Sequence, residues 1–243
     1  MHGQSNYTHT KQEHLSGLLN ICTHAWNPLV NGKPTWAHPE VVIIDCTSGN
    51  GHTEQGDEGS PLLINAWAQR SYGFGFRQLC CERTPTSFVK LTQNNLSQTD
   101  IMLGSYQELV PIWLESLDLK RPALGFVYCD PNGAKDLIEG IDLFAWLARQ
   151  PRFQCLDFIF HWSMNAYSRN AGVGNEWAQT PLLDVVHRLA MMKRHAYMRE
   201  PLDKWQWVFM QILNTSKVRP IWPNERVLAY ADWCRQFAER FTA

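Results

Sequence analysis

The 243-residue chain lacks the features that most quickly assign a function. No apolar run approaches the ~20 residues needed to cross a bilayer. Its opening, MHGQSNYTHTKQEH, has no apolar centre of the kind a secretion signal carries. Net charge is -1, so no global basic field draws nucleic acid, and any such surface must be a local patch. Cys22, Cys46, Cys80, Cys81, Cys129, Cys155 and Cys234 form no C-x-x-C pair and keep no zinc-ligand spacing from a histidine. No glycine is followed by Lys-Ser or Lys-Thr, so a Walker A loop is missing too. The expectation is a cytoplasmic protein with reduced thiols, no membrane segment and no structural metal.

Apolar content of 44% and eleven tryptophans supply a large core. Strand-length apolar runs fall at Val41–Cys46, Gly75–Cys81, Asp100–Leu103, Ala123–Cys129 and Cys155–Trp162. Between and around them, helical patterns cover Lys11–His24, Pro61–Gln69, Pro85–Asn95, Tyr106–Leu117, Leu137–Ala148, Glu176–Met198 and Asn224–Phe241. Continuous apolar strands alternating with helices predict an α/β fold, a doubly wound and mostly parallel sheet covered on both faces. Lys204–Thr215 reads as an antiparallel edge strand near the C-terminus, the one clear strand after Trp162. With no repeat and no linker, residues 1–243 read as one domain, comprising an N-terminal helical extension (1–38) and a C-terminal helix-strand-helix portion (170–243).

In such sheets ligands gather beyond the carboxyl ends of the strands. The first strand empties into Asp45-Cys46-Thr47-Ser48-Gly49-Asn50-Gly51, and the next helix is delayed to Gly59-Ser60-Pro61. A dinucleotide fingerprint would place a third glycine where Glu54 stands, and a carboxylate there repels a pyrophosphate. This argues against a nicotinamide oxidoreductase. A cationic methyl donor suits Asp45, Ser48 and the Gly49 and Gly51 turn better. Glu82 ends the second strand, where a carboxylate can accept both hydroxyls of a ribose; a solvated strand-end charge is the plain alternative. Ser105 and Tyr106 follow the third strand and either contact a base or cap the helix. The fourth strand ends in Asp130-Pro131-Asn132-Gly133, which is either a β-turn or an active-site loop facing the cleft of Gly49 and Gly51. The fifth ends in His161, Trp162 and Ser163, followed by Tyr167 and Arg169, a substrate-side set or ordinary structural and surface residues. Met191 to His195, Arg199 and the aromatics of Lys204–Trp207 mix cations with rings, as nucleic-acid surfaces do; an amphipathic helix packing Leu189, Met192 and Tyr197 explains them equally.

This order of motifs resembles the class I S-adenosylmethionine-dependent methyltransferases. More narrowly it resembles the three-Cys-motif partner proteins, with an Asp before Gly-x-Gly, then Gly-Ser-Pro, then Asp-Pro-x-Gly. Ribosomal-RNA adenine-N6 methyltransferases with a Gly-Ser-Pro element share a related layout. The likeness covers about Lys11 to Arg169. It implies S-adenosylmethionine as cofactor, Asp130, Pro131 and Asn132 as the catalytic loop, and an exocyclic amine of DNA or RNA as acceptor, with a protein partner as a further expectation. One departure stands out: Asn132 and Gly133 occupy the places of the second proline and the aromatic of the adenine-type motif, so base stacking falls to Trp162 or Tyr167. That departure keeps a non-catalytic binding protein in view. The Gly-Ser-Pro element also reads as a helix start, with Ser60 as cap and Pro61 in the first turn.

Overall fold

The computed structural model describes residues 8–30, 34, 37–53, 55–73, 75–131, 134–163, 182–201, 207–214 and 225–241. The chain divides into two compact units, Met1–Gly125 and Phe126–Ala243.

The first unit holds α1 (Thr8–Val30), β1 (Glu40–Asp45), α2 (Ser60–Tyr72), β2 (Arg77–Glu82), α3 (Pro85–Thr92), β3 (Thr99–Leu103) and α4 (Tyr106–Ser116). β1 is Val-Val-Ile-Ile at its centre, β-branched and fully buried, as a strand covered on both faces requires. It runs parallel to β2, Ile44 beside Leu79, and β2 runs parallel to β3, Cys80 beside Ile101. On α1, Leu15, Leu18, Leu19, Cys22 and Trp26 recur at helical spacing and are all buried. Trp26, Trp67 and Tyr72 form an aromatic cluster, with ring centroids 5.5–5.9 Å apart, that joins α1 to α2. The Trp67 indole donates to Thr23 Oγ1 at 2.7 Å. Near the start of β4 (Ala123–Cys129), a side chain on Gly125 would place its Cβ 1.7 Å from the Val42 carbonyl oxygen, so only glycine fits there.

The second unit contains most of β4, then α5 (Ala134–Arg149), a short 3-10 turn (Pro151–Phe153), β5 (Cys155–Ser163), α6 (Leu182–Ala190), β6 (His195–Pro201), β7 (Trp207–Leu213), β8 (Glu225–Ala229) and α7 (Tyr230–Phe241). Leu137, Ile141, Phe144 and Leu147 form the buried stripe of α5, and Phe144 meets the Phe160 ring edge-on at 4.7 Å. β5 pairs antiparallel with β7, β7 with β6, and β6 with β8. The sheet has eight strands in the order β3-β2-β1-β4-β5-β7-β6-β8, mostly parallel with an antiparallel end.

Five sequence-based strands and the mostly parallel arrangement hold. The C-terminal part differs in three ways. The single helix expected over Glu176–Met198 ends at Ala190, and His195–Pro201 is a strand. Met198, Arg199 and Glu200 are buried consecutively, which a strand enclosed between two others allows and one helical stripe does not. Glu225–Ala229, expected as helix, is β8, laid along β6 with Leu228 beside Met198. The strand expected over Lys204–Thr215 is present at Trp207–Leu213 but is internal, with β6 and β8 beyond it. Among the described residues three strands therefore follow Trp162, all paired antiparallel, where the sequence reading has one clear strand. Residues 176–181 and 215–224 lie outside the described residues.

Candidate functional site

In the first unit the site is built on the loop after β1. Asp45 is the last residue of that strand and is 0% exposed. Its Oδ1 accepts the Thr47 N–H at 3.1 Å and its Oδ2 accepts the Ser60 hydroxyl at 2.8 Å. Ser48 Oγ donates to the Asp45 carbonyl, and Ser48 N–H donates to the Cys81 carbonyl at 3.0 Å, pinning the loop beside the end of β2. Burial raises the Asp45 carboxyl to about 6 against the donors from Ser60 and Thr47 and the charge of Lys11. Burial likewise lowers the Lys11 ammonium to about 8, opposed by Asp45. The N-terminal helix thus brings a cation to the glycine loop, and the neighbouring Gln12 amide donates to the Glu58 carbonyl.

The loop then closes on itself. Gly51, at φ +90°, lets Gly59 N–H reach the Gly51 carbonyl at 2.8 Å, and His52 bridges to Glu58. A Cβ on Gly51 would meet Asn94 Nδ2 at 2.7 Å and Leu62 Cδ1 at 2.8 Å. Gly49, at φ +63°, has no atom within 4 Å of such a Cβ, so open space adjoins its backbone. Beside the loop, Glu82 ends β2, 9% exposed. One carboxylate oxygen accepts the Thr84 N–H at 2.6 Å, while Oε2 has no hydrogen bond among the described residues. Gly104 N–H is held by the Glu82 carbonyl, bringing the β3 end alongside. Ser105 is the residue before α4, but its hydroxyl bonds Gln107 Oε1 and not the helix backbone; Tyr106 is buried. These features offer a ligand open backbone at Gly49 and a nearly buried Glu82 carboxylate with a spare oxygen. An adenosyl methyl donor fits that donor set.

Ser60 is not the helix cap. Gly59 holds that position without a side-chain bond, Ser60 is the first helical residue, and its hydroxyl is spent on Asp45. A buried carboxylate is a stronger acceptor than water, and this outweighs capping.

In the second unit, Asp130 follows β4 directly and His161 lies in β5. Asp130 Oδ1 and His161 Nδ1 are 2.6 Å apart. From the sequence Asp130 is expected in the catalytic loop and His161 on the substrate side; the fold joins them. Pro131 is half-buried beside Asp130. Trp162 and Ser163 continue β5, opposite Val208 and Trp207. Asn132, Tyr167 and Arg169, like Glu54, lie outside the described residues. The expected basic helix face is a turn and a strand: Lys193 Nζ donates to the Gln154 carbonyl and sits 4.7 Å over the Phe158 ring. Lys11 escaped the sequence reading, since nothing in an isolated helix indicates what its N-terminal turn will cover. Cys46, Cys80, Cys81 and Cys129 are buried free thiols, as expected, and so is Cys22. Among the described residues no group of His, Cys, Asp and Glu could hold a metal, and no helix is long and apolar enough to cross a membrane.

Neither a family model nor a curated protein matches the chain. Solved structures do. Protein LPL1258 from Legionella pneumophila superposes with a TM-score of 0.56, over 85% of this chain and 84% of that one, at 13% identity. The bifunctional kinase-methyltransferase WbdD superposes with 0.51, over 88% of this chain and 41% of that one, at 10% identity. Together with the strand order and the antiparallel end, the fold is Rossmann-like, of the methyltransferase type.

Proposed function

We propose that the chain is an S-adenosylmethionine-dependent methyltransferase, kin to the three-Cys-motif partner proteins, acting in the cytoplasm on an exocyclic amine of a nucleic-acid base. The observation that carries the reading is Glu82, a nearly buried carboxylate with one oxygen held by a backbone N–H and the other open, beside the open backbone of the Gly49 turn. Such a carboxylate can take a ribose hydroxyl pair, and desolvation strengthens the bond. When bound, the donor supplies an electrophilic methyl group on a sulfonium.

The chain's own residues do the rest. Ser48, Gly49 and Gly51 present backbone, Asp45 sets the loop's shape, and Ser105 and Tyr106 border the base. Asp130 accepts an N–H of the acceptor amine, Pro131 offers its carbonyl, and Asn132 is the third residue assigned to catalysis. His161, Trp162, Ser163, Tyr167 and Arg169 form the acceptor side. Alignment supplies most of the acceleration, because amine methylation needs little else from the protein. A base inside a duplex would have to be flipped out.

The test is tritiated methyl transfer into DNA, RNA and total protein, with Asp130→Ala beside the wild type. Transfer into one acceptor class, lowered by orders of magnitude in Asp130→Ala with donor binding intact, supports the reading. Donor binding without transfer into any class favours the second reading, a methyltransferase-like binding protein, which the Asp-Pro-Asn-Gly departure motivates.

A further inference from the structure

We propose that Arg149, Arg152, Arg188, Lys193 and Arg194, at the amino-terminal end of β5, form a surface for the phosphate backbone of a nucleic acid. The inference rests on the methyltransferase reading in taking that nucleic acid as the acceptor. The surface itself lies within the second unit and is testable without the methyl donor.

Three segments meet there at one carbonyl. α5 ends at Arg149, and the Gln150 and Phe153 N–H groups close the turn that carries Arg152 into β5. The next carbonyl, that of Gln154, accepts Lys193 Nζ at 2.9 Å and Asn214 Nδ2 at 2.8 Å. Arg194 N–H donates to the same Asn214 side chain, at 3.5 Å. Arg188 stands in the last turn of α6, which ends at Ala190 just before Lys193 and Arg194. Arg149, Arg152, Arg188 and Arg194 are exposed. The side chains of Arg149, Arg188 and Arg194 make no hydrogen bond or ion pair among the described residues.

Cations at helix C-termini also complement the macrodipole, which is the plainer explanation for Arg149 and Arg188. Each terminus carries only roughly half a negative charge, so two of them offset about one cation of the five. Burial pushes the Asp157 carboxyl, beside Lys193, up to about 7 against the pull of that ammonium. It therefore holds about half a charge near neutral pH. Roughly three positive charges are left over, a local field in a chain whose net charge is -1. Met191 is 69% exposed at the same turn, but one apolar side chain gives hydrophobic docking little to bury. Guanidinium groups match phosphate oxygens with paired N–H donors. Such contacts position a nucleic acid without reading its sequence. His161, hydrogen-bonded to Asp130, stands seven residues after Gln154, about 23 Å along the strand. The surface therefore sets affinity and salt dependence, and leaves the chemical step to other residues.

The test is fluorescence anisotropy of a hairpin RNA and a duplex DNA across salt concentrations, with no donor present. It compares the full chain with an Arg149→Ala, Arg188→Ala, Arg194→Ala triple variant. A control, Arg70→Ala, Arg77→Ala, Lys90→Ala, removes three exposed cations of the first unit and changes net charge equally. The wild type should bind at least one of the nucleic acids in low salt. The triple variant should raise Kd about tenfold or more there and flatten the slope of log K against log salt by about 2.7, three phosphate contacts' worth. The control should change neither, and in methyl transfer the triple variant should raise the acceptor's KM and keep kcat. Absent binding, an unchanged slope, or equal weakening in the control would overturn the proposal. So would displacement by polyglutamate as readily as by unlabelled nucleic acid, which would mark an acidic protein as the partner. Salt-steep binding lost in the triple variant, with no methyl transfer into any acceptor, upholds the surface and overturns the function. Methyl transfer into nucleic acid with KM unchanged in the triple variant upholds the function and overturns the surface.

Discussion

Ser60 Oγ lies 2.8 Å from Asp45 Oδ2, so the first residue of α2 is fastened to the last residue of β1 across the whole glycine loop. The loop's ends are thereby fixed by one hydrogen bond to a buried carboxylate. Ser60→Ala removes the donor and leaves that carboxylate with less compensation. It should cost about 1.5–3 kcal/mol, the range for hydrogen bonds to charged groups, more than the ~1 kcal/mol of a lost cap. Urea unfolding of the variant checks this; a loss under about 0.5 kcal/mol would show that the bond contributes little.

Asp45 and Lys11 set a pH signature. The folded carboxyl titrates near 6 against 3.8 in the ordinary state, so the folded form binds more protons between those values and stability falls as pH rises through that window. The Lys11 ammonium titrates near 8 against 10.5, so the folded form binds fewer protons there and stability rises with pH through that window. Between about 6 and 8 both penalties are fully present. Urea midpoints at pH 5, 7 and 9.5 should show a dip at pH 7 that the Asp45→Asn, Lys11→Met double variant lacks. Equal dips in both proteins would assign the effect elsewhere.

The two glycines of the turn should behave differently. Gly51→Ala meets Asn94 and Leu62 as well as a positive φ, and should destabilise by about 2 kcal/mol or more. Gly49→Ala meets only the positive φ, costing about 1 kcal/mol, but its methyl projects into the open space proposed for the donor. Its signature is a weakened S-adenosylhomocysteine affinity in a folded protein. Calorimetry on that variant decides, and unchanged affinity would place the donor elsewhere.

In the second unit the buried Glu200 accepts from the Trp233 indole and pairs with Arg226, tying α7 and β8 to β6. Glu200→Ala leaves the guanidinium and the indole without their shared acceptor, and should cost about 3–5 kcal/mol. Thermal unfolding reads it directly.

Much of this was legible in the sequence. The parallel strands are short runs such as Val-Val-Ile-Ile, whose length and β-branching mark a covered strand, and the strand-end residues Asp45, Glu82 and Asp130 follow from them. β6 was not legible, because its buried members include Arg199 and Glu200, satisfied by Gln211, Arg226 and Trp233 from other elements. Charge on a strand reads as exposure until its partners are known. Lys11 beside Asp45, and His161 on Asp130, were hidden for the same reason: each pairs residues 31 or more positions apart.

In the proposed site Glu82 holds an adenosyl methyl donor beside the Gly49 turn. Isothermal titration of S-adenosylhomocysteine into the wild type and into a folded Glu82→Ala variant tests it most directly. The wild type should show saturable one-to-one binding, and the variant a loss of about 1–3 kcal/mol, some five- to 150-fold in Kd. No heat of binding with the wild type, or the same Kd in both proteins, would contradict it.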